Sequence, residues 1–249
     1  MDIQLIINII SKYGPMFLRG AGVTLLISLV GTVLGTMIGL LVGVVRTIPT
    51  PEKDVKKGSL RFKRVLLKFI NTILSVYIEV FRGTPMIVQA MVIYYGSLAA
   101  FNIDMNKMTA ALFIVSINTG AYMSEIVRGG ILSVDKGQFE AAHAIGMNHI
   151  QTMKNVILPQ VVRNILPATG NEFVINIKDT SVLNVISVTE LYFQTKSVAG
   201  ATFDYFSSFF VASVIYLVMT FTITRILRYV EKRMDGPDSY VRAGNQMQI

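Results

Sequence analysis

Five long apolar stretches divide the chain. They run from about residue 20 to 45, 69 to 98, 108 to 127, 156 to 188 and 206 to 227. A transmembrane helix needs about 20 mostly apolar residues, so each stretch is long enough to cross a bilayer. The pattern predicts an all-α polytopic membrane protein with five transmembrane helices. Residues 3–18 carry a further apolar face but have no room to span, so we expect an interfacial lead-in.

The composition supports a membrane protein. The chain has 249 residues, of which 52% are hydrophobic and 15% charged, whereas a soluble domain usually carries about 25% charge. There is no cysteine, which excludes disulfides and thiolate metal sites. The two histidines are six residues apart and make a poor metal constellation. We therefore expect no cofactor or metal in this chain, and a single transmembrane domain over 1–249 with a core at 19–235.

The distribution of basic residues predicts the orientation. The segment 46–68 holds eight lysines and arginines, and further basic residues follow the third and fifth stretches. The segments 101–107 and 190–204 hold one lysine each. Because basic loops stay in the cytoplasm, we expect the N-terminus outside and the C-terminus cytoplasmic, with a basic cytoplasmic loop at 46–68. The net charge of +8 fits basic cytoplasmic loops, which could also bind anionic lipid headgroups. No basic-aromatic module indicates nucleic-acid binding.

Charged residues inside the second stretch are functional candidates, because charges within a span are costly. Glu79 and Arg82 lie three residues apart and can pair on one helix face. Gly83 and Pro85 follow at once and should break the helix. Such a break is tolerated only where protein or a water-filled cavity satisfies the freed backbone groups. The pair therefore predicts either a structural ion pair that holds the kink or a gate.

The third stretch places Asn118, Tyr122 and Glu125 at i, i+4 and i+7, which puts them on one helix face. Arg128 lies three residues beyond Glu125 and should mark the cytoplasmic end. We expect Glu125 and Arg128 to pair. The remaining polar groups of this face are candidates for contact with a solute.

The fourth stretch repeats that spacing with Glu172, Asn176 and Asp179. Lys178 must point elsewhere, toward another helix or subunit. A carboxylate and an amide on one face near the middle of a span could bind an ammonium group and polar atoms of a small solute. The alternative for Glu172 is an interhelical salt bridge.

Four glycines form a stripe along the first stretch, at positions 31, 35, 39 and 43. Small residues let helix backbones approach closely in lipid. The stripe predicts a close helix contact, either between two subunits or inside one subunit.

A short polar segment, EAAHAIGMNH, lies between the third and fourth stretches, within a loop at 137–155. Residues 140–145 can form a helix, and Gly146 suits its C-terminal cap. Asn148 suits the N-cap of a second helix, with Gln151 three residues on. Ala141 and Ala142 would leave a bare surface that another protein could approach closely. The segment predicts either a docking helix or a plain turn.

The segment and its neighbours resemble a known family. Glu140-Ala141-Ala142, Gly146 and the following VILP resemble the EAA loop of permease subunits in binding-protein-dependent ABC importers, with Val156 where isoleucine is more usual. The resemblance covers roughly 16–235, and the basic stretch at 50–64 looks like an insertion. Four further segments resemble the polar amino-acid branch of that family: VFRGTPMIVQ, AYMSEIVRGGI, GQFEAA and IKDTSVLNVI.

The resemblance implies a role and partners. Two permease subunits would form a pore in a bacterial inner membrane, and two ABC ATPase subunits would carry ATP and Mg and bind the coupling loops. An extracytoplasmic binding protein would deliver a polar or charged amino acid. In this family Glu140 and Gly146 belong to the coupling signature, and the position of Glu172 is plausible for substrate contact.

Two other classes fit less well. The chain has no GxxxxGK[ST] segment, so it lacks a phosphate-binding loop of its own and is not expected to be an enzyme. An ion-coupled secondary transporter or channel is the alternative, but such proteins usually contain internal repeats and the sequence shows no convincing duplication. An intramembrane enzyme would need a nucleophile–base pair or metal ligands within the spans. The chain has no cysteine and both histidines lie in the loop at 137–155, so this class is not favoured. The sequence leaves open which amino acid is carried and whether the second permease is identical.

Overall fold

The computed structural model describes residues 3–49 and 58–234, and every regular element among them is helical. The centre of the basic loop, 50–57, lies outside the described residues, as do 1–2 and 235–249. A π-helical turn, Met153–Ile157, precedes α7, and a 3₁₀ segment, Thr180–Ile186, follows it. The α-helices are α1 (Ile3–Arg46), α2 (Gly58–Gly83), α3 (Met86–Phe101), α4 (Lys107–Leu132), α5 (Lys136–Ala144), α6 (His149–Thr152), α7 (Leu158–Asp179), α8 (Leu191–Thr202) and α9 (Tyr205–Met234).

Helix α1 is continuous over 44 residues, so the prediction of a separate lead-in at 3–18 is wrong. At about 1.5 Å per residue the helix is ~66 Å long, roughly twice the hydrocarbon thickness of a bilayer. Pro15 lies inside it. Ile6, Ile9 and Phe17 are buried against residues of α8 and α9. These tertiary contacts stabilise as part of α1 a segment that was expected to lie apart because it is too short to span.

The predicted second and fourth spans are composite. The second is divided into α2 and α3 at Gly83, as the glycine and proline predicted. Helix α2 begins at Gly58, so the second half of the expected basic loop is helical. The fourth is divided among the π-helical turn, α7 and the 3₁₀ segment. Three described helices, α1, α4 and α9, are individually long and apolar enough to cross a membrane, and α3 is a shorter apolar helix.

The segment 190–204, expected to be a loop, contains α8. Its cap is Glu190, whose fully buried carboxylate accepts hydrogen bonds from the backbone N–H groups of Tyr192 and Phe193 at 2.8 and 2.7 Å. The Tyr216 hydroxyl of α9 donates a third bond to this carboxylate at 3.2 Å. A single acidic side chain therefore ties the start of α8 to α9, and no sequence pattern had indicated this.

The glycine stripe of α1 packs against α4 of the same chain. A Cβ atom at Gly31 or Gly39 would lie 2.4 Å from a side-chain atom of α4, and at Gly35 or Gly43 2.6 Å. The facing residues are Val115, Thr119, Met123 and Val127 in the same order, so α1 and α4 run parallel. Of the two sequence interpretations, packing within one subunit is the one that the structure shows.

Helix directions alternate around α4. Ala90 of α3 packs near Ala110, and Tyr77 of α2 bonds to Ile117, so α2 and α3 run antiparallel to α4. Gly130 meets Ile165, and Thr119 meets Asn176, so α7 is antiparallel to α4 as well. Helix α9 runs parallel to α1, since its start packs near Phe17 and its Leu227 meets Gly170.

Candidate functional site

A cavity of about 250 Å³ lies where the break between α2 and α3 faces α4 and α7. It brings together five polar residues that sequence spacing had assigned to two separate helix faces. The helix break contributes Thr84, Pro85 and Met86 to the wall of the cavity. The lining comprises Thr84, Pro85, Met86, Asn118, Tyr122, Glu172, Ile175, Asn176 and Asp179.

Two carboxylates face this cavity. The Glu172 side chain is half-buried and Asp179 is exposed. Within the described part of the chain, neither forms a hydrogen bond or an ion pair, so the interhelical salt bridge considered for Glu172 is not made. Carboxylates that the fold leaves unpaired near the middle of a helix bundle remain free to bind a ligand.

The two amides of the cavity also hold the fold together. The buried Asn176 Nδ2 donates to Thr32 Oγ1 of α1 at 2.9 Å and to Thr119 Oγ1 of α4 at 3.0 Å. This joins α7 to α1 and α4 at a position between the two carboxylates along α7. Asn118 Nδ2 donates to Gln89 Oε1 at 2.9 Å. The amide N–H groups of both candidates are therefore already engaged, and their main effect on the cavity is to fix its walls.

The helix break is satisfied by protein groups. Gln89 Nε2 donates to the backbone oxygens of Phe81 and Thr84, each at 2.9 Å, and Asn118 Nδ2 reaches the Phe81 oxygen at 3.3 Å. These bonds replace the helical bonds that the break removes. Sequence reasoning predicted the need for such partners but missed Gln89. The signal was present, since Gln89 is a polar residue in the otherwise apolar first turn of α3.

Arg82 does not pair with Glu79, and the predicted ion pair is absent among the residues that the structure describes. Its guanidinium lies over the ring of Tyr122, 5.5 Å from the centroid. An aromatic face attracts a desolvated cation, with an energy of roughly 0.5–2 kcal/mol. Tyr122 lines the cavity, so Arg82 places a positive charge beside it, while Glu79 is exposed on α2.

Glu125 joins α4 to the end of α1. Its carboxylate accepts bonds from Arg128 Nη2 at 2.9 Å and Nε at 3.1 Å, which confirms the expected pair. Its other oxygen pairs with Arg46 at the end of α1. Arg46 was missed because it lies 79 residues away in sequence. The triad is a structural link between α1 and α4 rather than part of the cavity.

Lys178 points away from Glu172, as its position on the helix predicted. It borders a separate groove of about 380 Å³ between α7 and α9, together with Arg225 and Arg228. Within the described residues it forms no ion pair.

The polar segment between α4 and α7 has the predicted helix–turn–helix form. Asp135 Oδ1 caps α5 by accepting from the Gly137 N–H at 2.6 Å. Helix α5 ends with Gly146 at φ +84°, and Met147 N–H donates to the Ala142 oxygen at 3.0 Å. This is the αL termination for which glycine is best suited. Asn148 and Gln151 form a reciprocal capping box on α6.

The exposed surface of this segment differs from the expectation. Glu140 and Ala141 are exposed, but Ala142 is only 4% exposed and packs inward. Of the two alanines expected to form the bare surface, only Ala141 is exposed. Two isoleucines that sequence reasoning missed, Ile145 and Ile150, are each 75% exposed. The exposed surface of this segment is therefore partly apolar.

His149 of α6 is partly buried. Burial lowers the pKa of its imidazole below the ordinary 6.5, and the nearby His143 and Lys63 lower it further. The neutral ring is therefore favoured in the folded loop.

Comparisons with known proteins agree on one family. A profile of the binding-protein-dependent transport system inner membrane component matches residues 60–236. The glutamine transport system permease protein GlnP of Escherichia coli (strain K12) is 39% identical over 221 residues, covering 88% of this chain and 93% of that protein. The L-cystine transport system permease protein TcyB of Bacillus subtilis (strain 168) is 38% identical over 167 residues, covering 67% and 71%.

A solved structure has a similar fold. One chain of the crystal structure of an amino acid ABC transporter with histidines superposes with a TM-score of 0.76 at 36% identity, covering 90% of this chain and 96% of that one. A chain of the MetNI methionine ABC transporter, at 17% identity and a TM-score of 0.70, shares the fold.

Proposed function

The chain belongs to the family of inner-membrane components of binding-protein-dependent transport systems, and on this premise we propose that the candidate cavity between the α2–α3 break, α4 and α7 binds a polar or charged amino acid during its passage through the membrane. The chain is the permease subunit of an ATP-driven importer. Relatives named for glutamine, cystine and arginine transport support this class of substrate. The alternative of an ion-coupled secondary transporter or channel is not favoured by any of these relatives.

The observation that carries the proposal is the unpaired carboxylate of Glu172 facing a cavity with Asp179. An amino acid presents an ammonium group, which such carboxylates bind by charge-assisted hydrogen bonds. Arg82, held over Tyr122, lies beside the same cavity and is placed to attract the substrate carboxylate. A volume of about 250 Å³ is just below that of pockets for drug-sized ligands, which fits a single amino acid.

We propose five membrane passes: α1, α2 with α3, α4, α7 with the 3₁₀ segment, and α9. Their alternating directions support this number, because α1, α4 and α9 run one way and the other two run the opposite way. The basic residues at 46–68 and beyond residue 225 then place the N-terminus outside and the C-terminus in the cytoplasm of a bacterial cell. The whole chain forms one permease domain.

The segment α5–α6 would then contact a cytoplasmic ABC ATPase, one for each of two permeases. Glu140, Ala141 and the two exposed isoleucines form the surface, and the inward Ala142 and the αL Gly146 hold its shape. ATP and Mg belong to the ATPase. An extracytoplasmic binding protein delivers the substrate to the opposite end of the cavity.

Replacing one carboxylate tests the cavity. Glu172→Gln keeps the shape and removes the charge, so about 1.5–3 kcal/mol of a charged hydrogen bond is lost, or roughly 10- to 150-fold in transport. The measurement is uptake by the complete importer in proteoliposomes, with loaded binding protein outside. Glu231→Gln, near the end of α9, is the matched control and should transport normally.

Two results would contradict the assignment. Unchanged uptake would remove Glu172 from the substrate path. Equal loss of uptake and of ATPase co-purification would show that Glu172 supports the fold instead.

A charge reversal tests the coupling surface. Glu140→Arg should reduce both co-purification of the ATPase and ATP-dependent uptake, because it reverses the charge of an exposed interface residue. Asp104→Arg makes the same change on an exposed loop before α4 and should leave both intact. If the Glu140 variant retains the ATPase and full uptake, this segment is not the docking surface.

A further inference from the structure

Two opposite charges, which form no ion pair with any residue that the structure describes, lie at a similar depth in the protein. Tyr77 Oη of α2 donates to the Ile117 oxygen at 2.6 Å, and Asn176 Nδ2 of α7 donates to Thr119 Oγ1 at 3.0 Å. Ile117 and Thr119 are two residues apart on α4, or ~3 Å along its axis. The charged residues, Glu79 and Lys178, each follow their contact residue by two positions.

Because α2 and α7 both run antiparallel to α4, a step of two residues along either helix has the same direction along the bundle axis. Glu79 and Lys178 therefore lie within about one helical turn, ~5 Å, of a common level along the bundle axis. That level is near the midpoint of α4, which spans Lys107–Leu132. In a membrane it is the most costly place for a bare charge.

Both side chains are exposed on the protomer, and neither forms an ion pair with a described residue. Neither side chain lines the candidate cavity, but each lies on a helix that leads to it or forms its wall. Glu79 lies on the helix that ends at the Thr84–Met86 wall, and Lys178 lies on the helix that carries Glu172 and Asp179.

We propose that Glu79 of one protomer pairs with Lys178 of a second copy of this chain. Two copies inserted with the same orientation can be related only by an axis along the membrane normal. Rotation about that axis preserves depth, so residues at equal depth can meet across it. Each protomer supplies one carboxylate and one ammonium, and the twofold axis forms the pair twice.

The interface is self-complementary without any further partner, and it removes two exposed charges per protomer from the hydrocarbon. It also places the α2–α3 wall of one protomer beside α7 of the other, so the two candidate cavities face a shared interface. The inference rests on the proposed function, because a permease of this kind needs a second permease to complete its pore.

Cross-linking tests the pairing without depending on transport. The chain has no cysteine, so Glu79→Cys with Lys178→Cys in one full-length chain introduces two defined thiols. Membranes containing the complete importer are treated with a short bifunctional thiol reagent, and dimers are counted on a denaturing gel. We expect a cross-linked dimer as the main product.

The matched control is Lys68→Cys with Lys178→Cys. Lys68 is exposed on the same face of α2 but lies eleven residues before Glu79. The two positions are therefore ~16 Å apart along the helix axis. This pair should give no dimer. Absence of dimer with the Glu79 pair, or equal dimer with the Lys68 pair, would overturn the proposal. Neither result would bear on Glu172, whose test is uptake.

Charge exchange gives a second measurement. Glu79→Lys or Lys178→Glu alone opposes like charges at both sites and should lower the dimer fraction in detergent about tenfold or more. The double exchange restores opposite charges and should return the dimer fraction to that of the parent. Loss in the double variant equal to that in the single variants would contradict direct pairing.

Discussion

Substituting Gly39 of α1 by alanine should destabilise the protein, although alanine is the better helix former. The added Cβ would lie 2.4 Å from Met123 Cβ and 2.8 Å from the Met123 carbonyl carbon. An ordinary contact begins near 3.4 Å, so one helix must move by about 1 Å. Neither atom can be moved by a rotamer change, because a Cβ and a carbonyl carbon are fixed to the backbone.

The same substitution at Gly22 is the control, because a Cβ there has no atom within 4 Å. Both variants gain up to about 1 kcal/mol of helix propensity, and this gain cancels in the comparison. Overpacking costs roughly 1–3 kcal/mol and applies only at Gly39. We therefore expect Gly39→Ala to be about 1–3 kcal/mol less stable than Gly22→Ala.

The assay is equilibrium unfolding of the purified protein in mixed micelles with increasing dodecyl sulfate, followed by far-ultraviolet circular dichroism. The two variants should unfold at clearly different detergent fractions. Equal midpoints would show that α1 and α4 do not approach as closely as the glycine stripe indicates, and would revive the interpretation of the stripe as a contact between subunits.

Three further predictions concern single side chains. Gln89→Leu leaves the Phe81 and Thr84 carbonyls at the helix break without their donor. It should lower the free energy of unfolding by about 1–3 kcal/mol per group in the same assay. Retained stability in Gln89→Glu, which also lacks the amide donor, would refute the donor role. Glu125→Gln should destabilise the α1–α4 junction by about 1–3 kcal/mol, and an unchanged midpoint would show that the two arginines do not depend on it. The lowered pKa of His149 means that its stabilising contribution is full above the ordinary pKa of 6.5 and is lost as pH falls through the lower folded value. The protection factors of the α5–α6 amides, which are corrected for the pH dependence of intrinsic hydrogen exchange, should therefore fall on acidification. His149→Gln, but not His143→Gln, should remove that response.

The elements that sequence predicted well depend on neighbours along the chain. Asn148 and Gln151 form their capping box because the bonds close over three residues. Gly146 takes the αL conformation because the helix end before it demands a residue without a Cβ. Glu125 and Arg128 pair because three residues place them on one helix face.

The expectations that failed depend on packing between distant segments. Arg82 has a partner three residues away in Glu79, but Tyr122 of α4 offers its ring at the break and the pair does not form. Ala142 has the same spacing and chemistry as Ala141, yet only Ala142 faces the protein.

The sequence alone determined that the chain is a helical membrane protein, which helix faces are polar, and which family it resembles, because hydropathy, helical periodicity and motif spacing are local properties. The tertiary structure decided that Asn118, Tyr122, Glu172 and Asp179 share one cavity. It also decided that Asn176 is a structural tie, and that Glu79 and Lys178 lie at a similar level without an ion pair to any described residue. These outcomes depend on how the helices cross and in which direction each runs. A one-dimensional pattern does not contain that information, since the same faces can meet in several arrangements, and only close packing selects one.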